Sequence, residues 1–297
     1  MSSGRQSPIV GFSAERRRVG EVEIAYSIGG QGPPLLLLHG YPQTHAMWHA
    51  VAPLLARDHT VVAADLRGYG DSSKPPGGRG SRAYAKREMA RDQVALMNAL
   101  GFERFAVAGH DRGGRVAHRM ALDHPRVVIR LAVLDIVPTR TVFATADQDL
   151  ATAYFHWFFL IQPDGLPEAM IGADPRWWLD ELVARWSGPG FTPDPAARAE
   201  YHRCFATTDG VRASCDDYRA AAGIDLEHDA ADPGPLGAPV LVMWGARGAM
   251  DRIYDLPATW RALAREVTPV RLDCGHFLAE EAPVATASAL ADFFRDP

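Results

Sequence analysis

The chain contains few cysteines and no apolar run long enough to cross a bilayer. Its three cysteines have no metal-ligand spacing, so they argue against a disulfide framework or a metal site and predict reduced, packed thiols at Cys204, Cys215 and Cys274. The first residues lack the apolar segment of a signal peptide. We therefore expect a cytoplasmic protein with no membrane partner.

Charge of one sign is not concentrated anywhere in the sequence. The net charge is -5, and the one compact basic cluster, residues 16–18, is too short to indicate nucleic-acid binding, so we expect a solvated strand face there. Internal repeats are also missing. Because 47% of its 297 residues are hydrophobic, the chain can bury one large core, with or without an inserted subdomain. These features predict a globular enzyme or binding protein.

Short apolar runs alternate with helical patterns along most of the chain. Residues 10–30 alternate between polar and apolar and predict two antiparallel strands that join near Gly20. Strands are predicted at residues 34–40, 60–66, 104–110, 129–136, 239–245 and 267–272, and the continuous apolar runs at 34–40 and 60–66 are typical of strands buried on both faces. Helices are predicted through 48–55 and at about 83–100, 112–123 and 283–294. This alternation predicts an α/β fold with a doubly wound, mostly parallel sheet.

The strand pattern stops for about a hundred residues in the second half of the chain. Between residues 139 and 235 the sequence is helical or irregular and rich in Trp, Tyr, His and Pro. We therefore predict a core formed by residues 1–138 and 236–297, and a helical lid formed by residues 139–235. Such an insertion is expected above the carboxyl ends of the strands, where ligands bind in these sheets.

One strand–turn–helix junction lacks the serine that α/β hydrolases usually carry there. Residues 109–113 read Gly-His-Asp-Arg-Gly, so the exposed position of the turn is Asp111. A carboxylate nucleophile attacks an alkyl carbon rather than an acyl carbon, which changes the predicted chemistry. The alternative is a sharp turn whose aspartate only caps the following helix.

A histidine and two acids follow in the chain order of an α/β-hydrolase triad. His276 comes directly after the last strand and would act as general base on the water that hydrolyses an ester formed on Asp111. Asp135 ends the strand after the turn, whereas Asp251 lies farther along a loop. We favour Asp135 as the acid that orients His276. His276 could instead be an ordinary surface or core-edge histidine, and Asp135 a turn cap.

The loop after the first buried strand predicts an oxyanion hole. Residues 39–44 read His-Gly-Tyr-Pro-Gln-Thr, and in this fold that loop supplies one backbone N–H while the residue after the nucleophile supplies the other. The expected donors are the backbone amides of Tyr41 and Arg112. The same Gly and Pro are also compatible with a simple turn.

Two arginines beside the nucleophile indicate an anionic substrate. Arg112 and Arg115 are spaced i, i+3 on the first helical turn. A cation there would compete for Asp111 if the substrate were neutral, but an arginine fork can bind a substrate carboxylate in a fixed plane. The alternative is an arginine that pairs with Asp111 or is solvated on a helix face.

Taken together, these segments resemble the fluoroacetate dehalogenases of the haloacetate dehalogenase family, in the α/β-hydrolase superfamily. The resemblance covers essentially the whole chain, and its motifs lie at residues 39–44, 109–115, 134–138, 156–160, 217–220 and 275–277. It implies an α/β-hydrolase fold with an inserted helical lid, no cofactor and no metal. Its partners would be a small 2-haloacid and water, and a homodimer is implied because family members are commonly dimers.

The resemblance also implies a role for each site residue. Asp111 would displace halide from the α-carbon in an SN2 step, with Asp135 orienting His276. Arg112 and Arg115 would bind the substrate carboxylate. The leaving halide would receive hydrogen bonds from three lid side chains, namely His156, Trp157 and Tyr218. Each has one N–H or O–H on a bulky apolar body, which suits a small, hard anion in a site shielded from water.

Two departures from the family pattern concern the predicted site. Tyr41 stands where the family usually has Phe, which adds a hydroxyl next to the nucleophile. The loop after residues 244–245 also differs and contains Asp251. Both leave the nucleophile in place but bear on whether fluoride, or only chloride and bromide, is displaced.

Two other functions fit parts of the same pattern. Epoxide hydrolases use the same Asp-His-acid machinery, but they typically have Trp after the nucleophile, where this chain has Arg112, and two lid tyrosines. Arg112 argues against a haloalkane dehalogenase in the same way. A non-catalytic binder of small carboxylates would have lost a triad residue, and none is lost here.

Overall fold

The computed structural model describes residues 6–232 and 234–295. In those residues eight strands form a single sheet, and each strand lies in or overlaps a segment that the sequence predicts as a strand. The strands are β1 (Ser13–Val19), β2 (Val22–Gly29), β3 (Pro34–Leu38), β4 (Thr60–Ala64), β5 (Phe105–His110), β6 (Val128–Leu134), β7 (Val240–Gly245) and β8 (Val267–Leu272). Their order across the sheet is β1-β2-β4-β3-β5-β6-β7-β8.

The sheet is antiparallel at one edge and parallel everywhere else. β1 pairs with β2 and β2 with β4 in antiparallel fashion, whereas the pairs from β4 through β3, β5, β6 and β7 to β8 are parallel. The central strands are almost wholly buried because helices cover both faces, which is why they appear as continuous apolar runs. Residues 16–18 lie on the exposed edge strand, as predicted for that basic cluster.

Helices connect the strands and fill the gap between β6 and β7. On the core side they are α1 (Ala52–Leu55), α2 (Lys86–Ala99), α3 (Arg112–Asp123), α12 (Ala249–Ile253), α13 (Leu256–Arg261), α14 (Leu278–Glu281) and α15 (Pro283–Arg295). Between β6 and β7 they are α4 (Thr139–Ala144), α5 (Gln148–Ala153), α6 (Phe155–Phe159), α7 (Leu166–Ala173), α8 (Pro175–Trp186), α9 (Pro195–Phe205), α10 (Thr208–Ala221) and α11 (Ile224–Ala231). We call α4 to α11 the inserted helices.

Two predicted helices are shorter than expected. The helix predicted from residue 83 begins at Lys86, because residues 79–84 form a 3₁₀ turn in which Gly80 and Ser81 have positive φ. The helical segment after β3 is split into a 3₁₀ turn over His45–Trp48 and the short helix α1. None of the described helices is both long and apolar enough to span a membrane. The cysteines are free and buried.

The carboxyl ends of the parallel strands place the predicted site residues at one edge of the sheet. Asp111 directly follows β5, Asp135 directly follows β6, and His276 lies in the loop after β8. The residue 39–44 loop follows β3, the strand next to β5. The fold therefore brings together residues that are far apart in the sequence.

Candidate active site

The turn at Asp111 is tight and strained. Asp111 has φ 44° and ψ -113°, a backbone conformation that non-glycine residues rarely adopt. Small neighbours make it possible: a Cβ on Gly109 would lie 2.4 Å from the Gly113 carbonyl oxygen, and one on Gly113 would lie 2.4 Å from the His39 carbonyl oxygen. Strain of this kind costs roughly 1–3 kcal/mol and concentrates at functional sites. Asp111 makes no side-chain cap to α3, so the capping alternative is wrong.

Asp135 and His276 form a close, buried pair. The distance from His276 Nδ1 to Asp135 Oδ2 is 2.6 Å, and a carboxylate can only accept, so the imidazole Nδ1–H donates. The other oxygen, Asp135 Oδ1, accepts from the backbone N–H of Gly245 at 3.1 Å. Burial alone would lower the pKa of His276, but its bond to Asp135 and the charges of Asp135 and Asp111 outweigh burial and raise it.

Asp251, the other candidate acid, bonds to residues other than His276. Its carboxylate is paired with Arg271 at 2.6 Å and 2.8 Å and accepts from the Trp244 indole N–H at 2.7 Å. That pair lies on the protein surface, since the Arg271 side chain is more than half exposed. The geometry therefore favours Asp135 as the partner of His276.

The backbone N–H of Tyr41 donates to Asp111 Oδ1 at 2.9 Å. The second predicted oxyanion donor, the N–H of Arg112, belongs to the first residue of α3 directly after Asp111. Burial would raise the pKa of Asp111, but the charge of His276, followed by that of Arg115, holds it below its ordinary value. The carboxylate is therefore ionised at neutral pH without transferring a proton to a base.

The extra hydroxyl of Tyr41 is occupied by the inserted helices. Tyr41 is fully buried, and its hydroxyl accepts from the indole N–H of Trp178 on α8 at 2.7 Å. The ring is also close to Tyr218, with 5.3 Å between centroids. The hydroxyl thus joins the residue 39–44 loop to the inserted helices by a hydrogen bond that a phenylalanine could not make.

Arg112 is not solvated and does not use its fork on Asp111. It is fully buried, and its Nε and Nη2 donate to Asp217 Oδ2 and Oδ1 at 2.8 Å and 2.9 Å. Nη2 also donates to the Asp217 carbonyl oxygen at 2.9 Å. The fork expected for the substrate therefore binds a carboxylate of α10, and Nη1 has no hydrogen-bond partner among the described residues.

Arg115 is buried beside it and held from one side. Its Nη1 donates to the Val137 carbonyl oxygen at 2.7 Å, and its guanidinium lies 4.4 Å from the centroid of the Trp157 ring. Burial lowers the pKa of Arg115 to about 10, with Asp111 acting in the opposite direction, so the group remains a cation at neutral pH. Its Nε has no hydrogen-bond partner in the part of the chain that the structure describes.

His156, Trp157 and Tyr218 lie together against the two arginines. All three are buried, His156 and Tyr218 rings are 5.5 Å apart, and Trp157 and Tyr218 rings are 5.6 Å apart. The Arg112 guanidinium lies 4.1 Å from the Tyr218 centroid. Burial lowers the pKa of His156 to about 3, so its imidazole is neutral.

Each of these five side chains carries a buried polar atom without a hydrogen-bond partner among the described residues. The atoms are Arg112 Nη1, Arg115 Nε, His156 Nδ1, Trp157 Nε1 and Tyr218 Oη. Leaving one buried donor unpaired costs roughly 1–3 kcal/mol, so a cluster of them is unexpected unless a ligand pairs with them. Donors that include two cations suit an anion.

A cleft leads from the surface to His276. Its volume is about 440 Å³, and it is bordered by Tyr154, Trp186, Gly248 and Arg252. Trp186 lies at its inner end, with ring centroids 4.4 Å from His156 and 5.7 Å from His276. No cluster of His, Cys, Asp and Glu in the described part of the chain could hold a metal ion.

Sequence reasoning missed several residues that shape the site. Asp217, Lys86 and Tyr69 form the buried network around Arg112, and Trp186 lines the cleft. Asp217 precedes Tyr218 in one of the segments that carry the family resemblance. Nothing in the local sequence indicates that its side chain bonds to Arg112, which is more than a hundred residues away. The buried position of an isolated lysine or tryptophan is likewise not visible in the sequence.

The chain is similar to known proteins over most of its length. The family model described as alpha/beta hydrolase fold matches residues 33–174. A fluoroacetate dehalogenase from Burkholderia sp. is 46% identical over 96% of this chain and 95% of its own length. A soluble epoxide hydrolase from Corynebacterium sp. (strain C12) is 34% identical over 91% of this chain and 92% of its own length.

A solved structure from Nostoc sp PCC 7120, classed as an alpha/beta hydrolase, matches with a TM-score of 0.95 at 53% identity, covering 96% of this chain and 99% of that one. The fold and the site thus define an α/β-hydrolase. At the identity and coverage of the Burkholderia relative, the chain belongs to the fluoroacetate dehalogenase family within that superfamily. It is an enzyme of the hydrolase class.

Proposed function

We propose that this enzyme hydrolyses 2-haloacids, fluoroacetate among them, to 2-hydroxy acids and halide. The observation that carries the proposal is the set of five unpaired polar atoms beside an ionised aspartate. Two belong to arginines and suit a carboxylate, and three belong to His156, Trp157 and Tyr218 and suit a leaving halide. The similarity to the Burkholderia fluoroacetate dehalogenase supports the same assignment.

In the first step, an oxygen of Asp111 attacks the α-carbon and halide leaves. Because the Tyr41 N–H already binds Oδ1, we assign the attack to Oδ2, so that Oδ1 becomes the carbonyl oxygen of the ester. Arg112 Nη1 and Arg115 Nε would bind the substrate carboxylate. The halide donors act on charge that appears only as the carbon–halogen bond breaks, which raises the rate rather than ground-state binding.

In the second step, water attacks the carbonyl carbon of the Asp111 ester. His276 takes a proton from this water, and the N–H groups of Tyr41 and Arg112 stabilise the oxyanion on Oδ1. The bond between the carbonyl carbon and Oδ2 then breaks, the 2-hydroxy acid leaves with Oδ2 and the proton returned by His276, and the Asp111 carboxyl group is restored. Forming the ester also removes the negative charge of Asp111, one of the charges that raise the pKa of His276. The imidazole therefore becomes more readily neutral in the intermediate, when a base is needed.

The inserted helices would act as the lid over this reaction, with predicted bounds at residues 139–235. They contribute all three halide donors, and Tyr154 and Trp186 border the approach to His276. Closing the site from water strengthens hydrogen bonds to a small anion such as fluoride, since bulk solvent no longer competes.

Epoxide hydrolysis is the second candidate, favoured by the 34% identity to the Corynebacterium enzyme and by the buried tyrosines Tyr154 and Tyr218, which both lie against His156. An epoxide carries no carboxylate to pair with Arg112 Nη1 and Arg115 Nε. Two unpaired cationic donors beside the nucleophile therefore favour the haloacid.

Halide release tests the proposal. Wild-type enzyme should release fluoride from fluoroacetate and chloride from chloroacetate, and Asp111→Asn should release neither at a comparable rate. Styrene oxide serves as the neutral epoxide control. Turnover of the epoxide without halide release from either acid would contradict the dehalogenase assignment.

A further inference from the structure

A buried group of charged residues surrounds the Nε and Nη2 edge of the Arg112 guanidinium. Asp217, on α10, is fully buried and accepts from Arg112 Nε and Nη2, and from the Tyr69 hydroxyl at 2.6 Å. Lys86, the first residue of α2, forms an ion pair with the same carboxylate and lies 3.6 Å from Asp225 Oδ2. The core and the inserted helices are thus joined at this point by a carboxylate shared between two cations.

This arrangement decides which nitrogen Arg112 can offer. A guanidinium has two faces suited to a bidentate carboxylate and one further N–H direction. Asp217 occupies the Nε and Nη2 face completely, which fixes the plane of the group and leaves Nη1 unpaired. Because Tyr218 follows Asp217 on the same helical turn, the bond between Arg112 and Asp217 also fixes the position of Tyr218, a proposed halide donor, relative to Arg112 Nη1, a proposed carboxylate donor.

Asp217 has a competitor for Arg112 in the nucleophile itself. Arg112 follows Asp111 in the sequence, and its charge is among those that hold the pKa of Asp111 low, so the two groups interact. A buried arginine without Asp217 would gain most by turning its fork to the nearest ionised carboxylate, since an uncompensated buried charge is costly. That carboxylate would be Asp111, and the pair would occupy both the nucleophile and the substrate donor.

We propose that Asp217 is a positioning residue that holds Arg112 away from Asp111 and presents Nη1 to the substrate carboxylate. This inference rests on the proposed function for the identity of that carboxylate. Lys86 supports this role as a second cation beside Asp217. Burial alone would raise the pKa of Asp217, but the charges of Arg112 and Lys86 lower it and keep the carboxylate ionised. Asp217 would not touch the reacting atoms.

The kinetic test compares Asp217→Asn with Asp216→Asn on chloroacetate. Asp216 is the adjacent residue on α10, pairs with Arg212 and Ser81, and does not touch Arg112, which makes it a matched control. We expect Asp217→Asn to raise KM and to lower kcat by about tenfold each, the size of effect that loss of a buried charge-assisted bond produces. Asp216→Asn should stay close to wild type. A folded Asp217→Asn enzyme with wild-type KM and kcat would overturn the inference.

If Asp217→Asn does not fold, the double variant Lys86→Met with Asp217→Asn removes one charge of each sign and keeps a side-chain carbonyl as acceptor for Arg112. Its KM should still be raised about tenfold, because one amide oxygen cannot replace a bidentate carboxylate. A wild-type KM in this variant would count against the inference.

Acetate binding separates positioning from a purely structural role. Measured by calorimetry, the loss of acetate affinity caused by Asp217→Asn should be large in the wild-type background. It should become small in an Asp111→Asn background, where Arg112 has no nucleophile to pair with. Equal losses in both backgrounds would overturn the inference. This measurement needs no turnover, so it tests the inference separately from the proposed function. Failure of the proposed function would show as wild-type enzyme that releases no halide.

Discussion

The two halves of the site differ in how completely their polar groups are bonded. In the first half, the Asp135 and Asp111 carboxylates accept backbone N–H groups, and His276 is bonded to Asp135. In the second half, five side chains each have a buried polar atom without a partner among the described residues, namely Arg112 and Arg115 of α3 and His156, Trp157 and Tyr218 of the inserted helices. The first half is bonded within the protein, whereas in the proposed function the second half is completed by an anion.

This difference follows from what each half must do. A nucleophile and a base need fixed orientation and set pKa values throughout the cycle, and hydrogen bonds within the protein provide both. A halide donor must keep its hydrogen free until the carbon–halogen bond breaks. Each unpaired buried donor destabilises the fold, so a cluster of five beside one carboxylate favours a site that a ligand completes. The predictions below test this division.

The largest expected effect concerns the nucleophile. Asp111→Asn keeps the size and one acceptor oxygen of the side chain but removes the attacking carboxylate, so halide release from chloroacetate should fall by about 10⁴-fold or more. The variant should still bind acetate. Retention of a substantial rate would mean that water attacks the substrate directly.

His276 should be needed for the second step only. His276→Asn leaves Asp111 able to displace halide but removes the base, so turnover should fall by about 10³-fold. One equivalent of chloride should still appear in a burst, and the enzyme should gain the mass of a carboxymethyl group, held as an ester on Asp111. Loss of the burst together with turnover would show that His276 also acts in the first step.

A halide donor should matter according to the halogen. Tyr218→Phe removes one unpaired O–H and keeps the ring that packs on Arg112. We expect kcat to fall roughly tenfold to a hundredfold on fluoroacetate, because fluoride depends most on donors, and clearly less on bromoacetate. Equal losses on both acids would argue that Tyr218 only packs the site.

The charge of Asp111 should change the pKa of His276 measurably. The pKa of His276 is raised by Asp135 first and by Asp111 in addition, with burial opposing both. A neutral residue at 111 removes one of these contributions, so an NMR titration should give a lower His276 pKa in Asp111→Asn than in wild type. A pKa that stays equal or rises would contradict the coupling between the two steps.

The smallest effect is expected at the acid that the geometry does not favour. Asp251→Asn weakens a surface pair with Arg271 and should leave kcat and KM close to wild type, since exposed pairs contribute little. Asp135→Asn, measured beside it, should lower kcat by about 10³-fold through loss of the His276 orientation. The reverse result would reassign the acid.

The sheet and the order of the site residues could be predicted because both follow from local patterns. Continuous apolar runs indicated the parallel strands, and the glycines around Asp111 indicated a turn that admits no larger residue. Strand ends meet at one edge of a parallel sheet, so Asp111, Asp135 and His276 were expected to be neighbours. Their catalytic roles stay predictions.

The partner of Arg112 could not be predicted in the same way. Spacing showed that Arg112 adjoins the nucleophile, but which carboxylate it would bind depends on how α10 packs on the core. The fork expected for the substrate is used by Asp217, and only Nη1 remains. Burial of Lys86 and the bond between Tyr41 and Trp178 are likewise consequences of tertiary packing.

The ester on Asp111 is the central claim, and a single turnover in water labelled with heavy oxygen tests it most directly. With enzyme in excess over chloroacetate, the hydroxy acid should carry an unlabelled oxygen taken from Asp111, and mass spectrometry should find the label in the peptide that contains Asp111. Label in the product of that first turnover, with none in the peptide, would show direct attack by water and contradict the account.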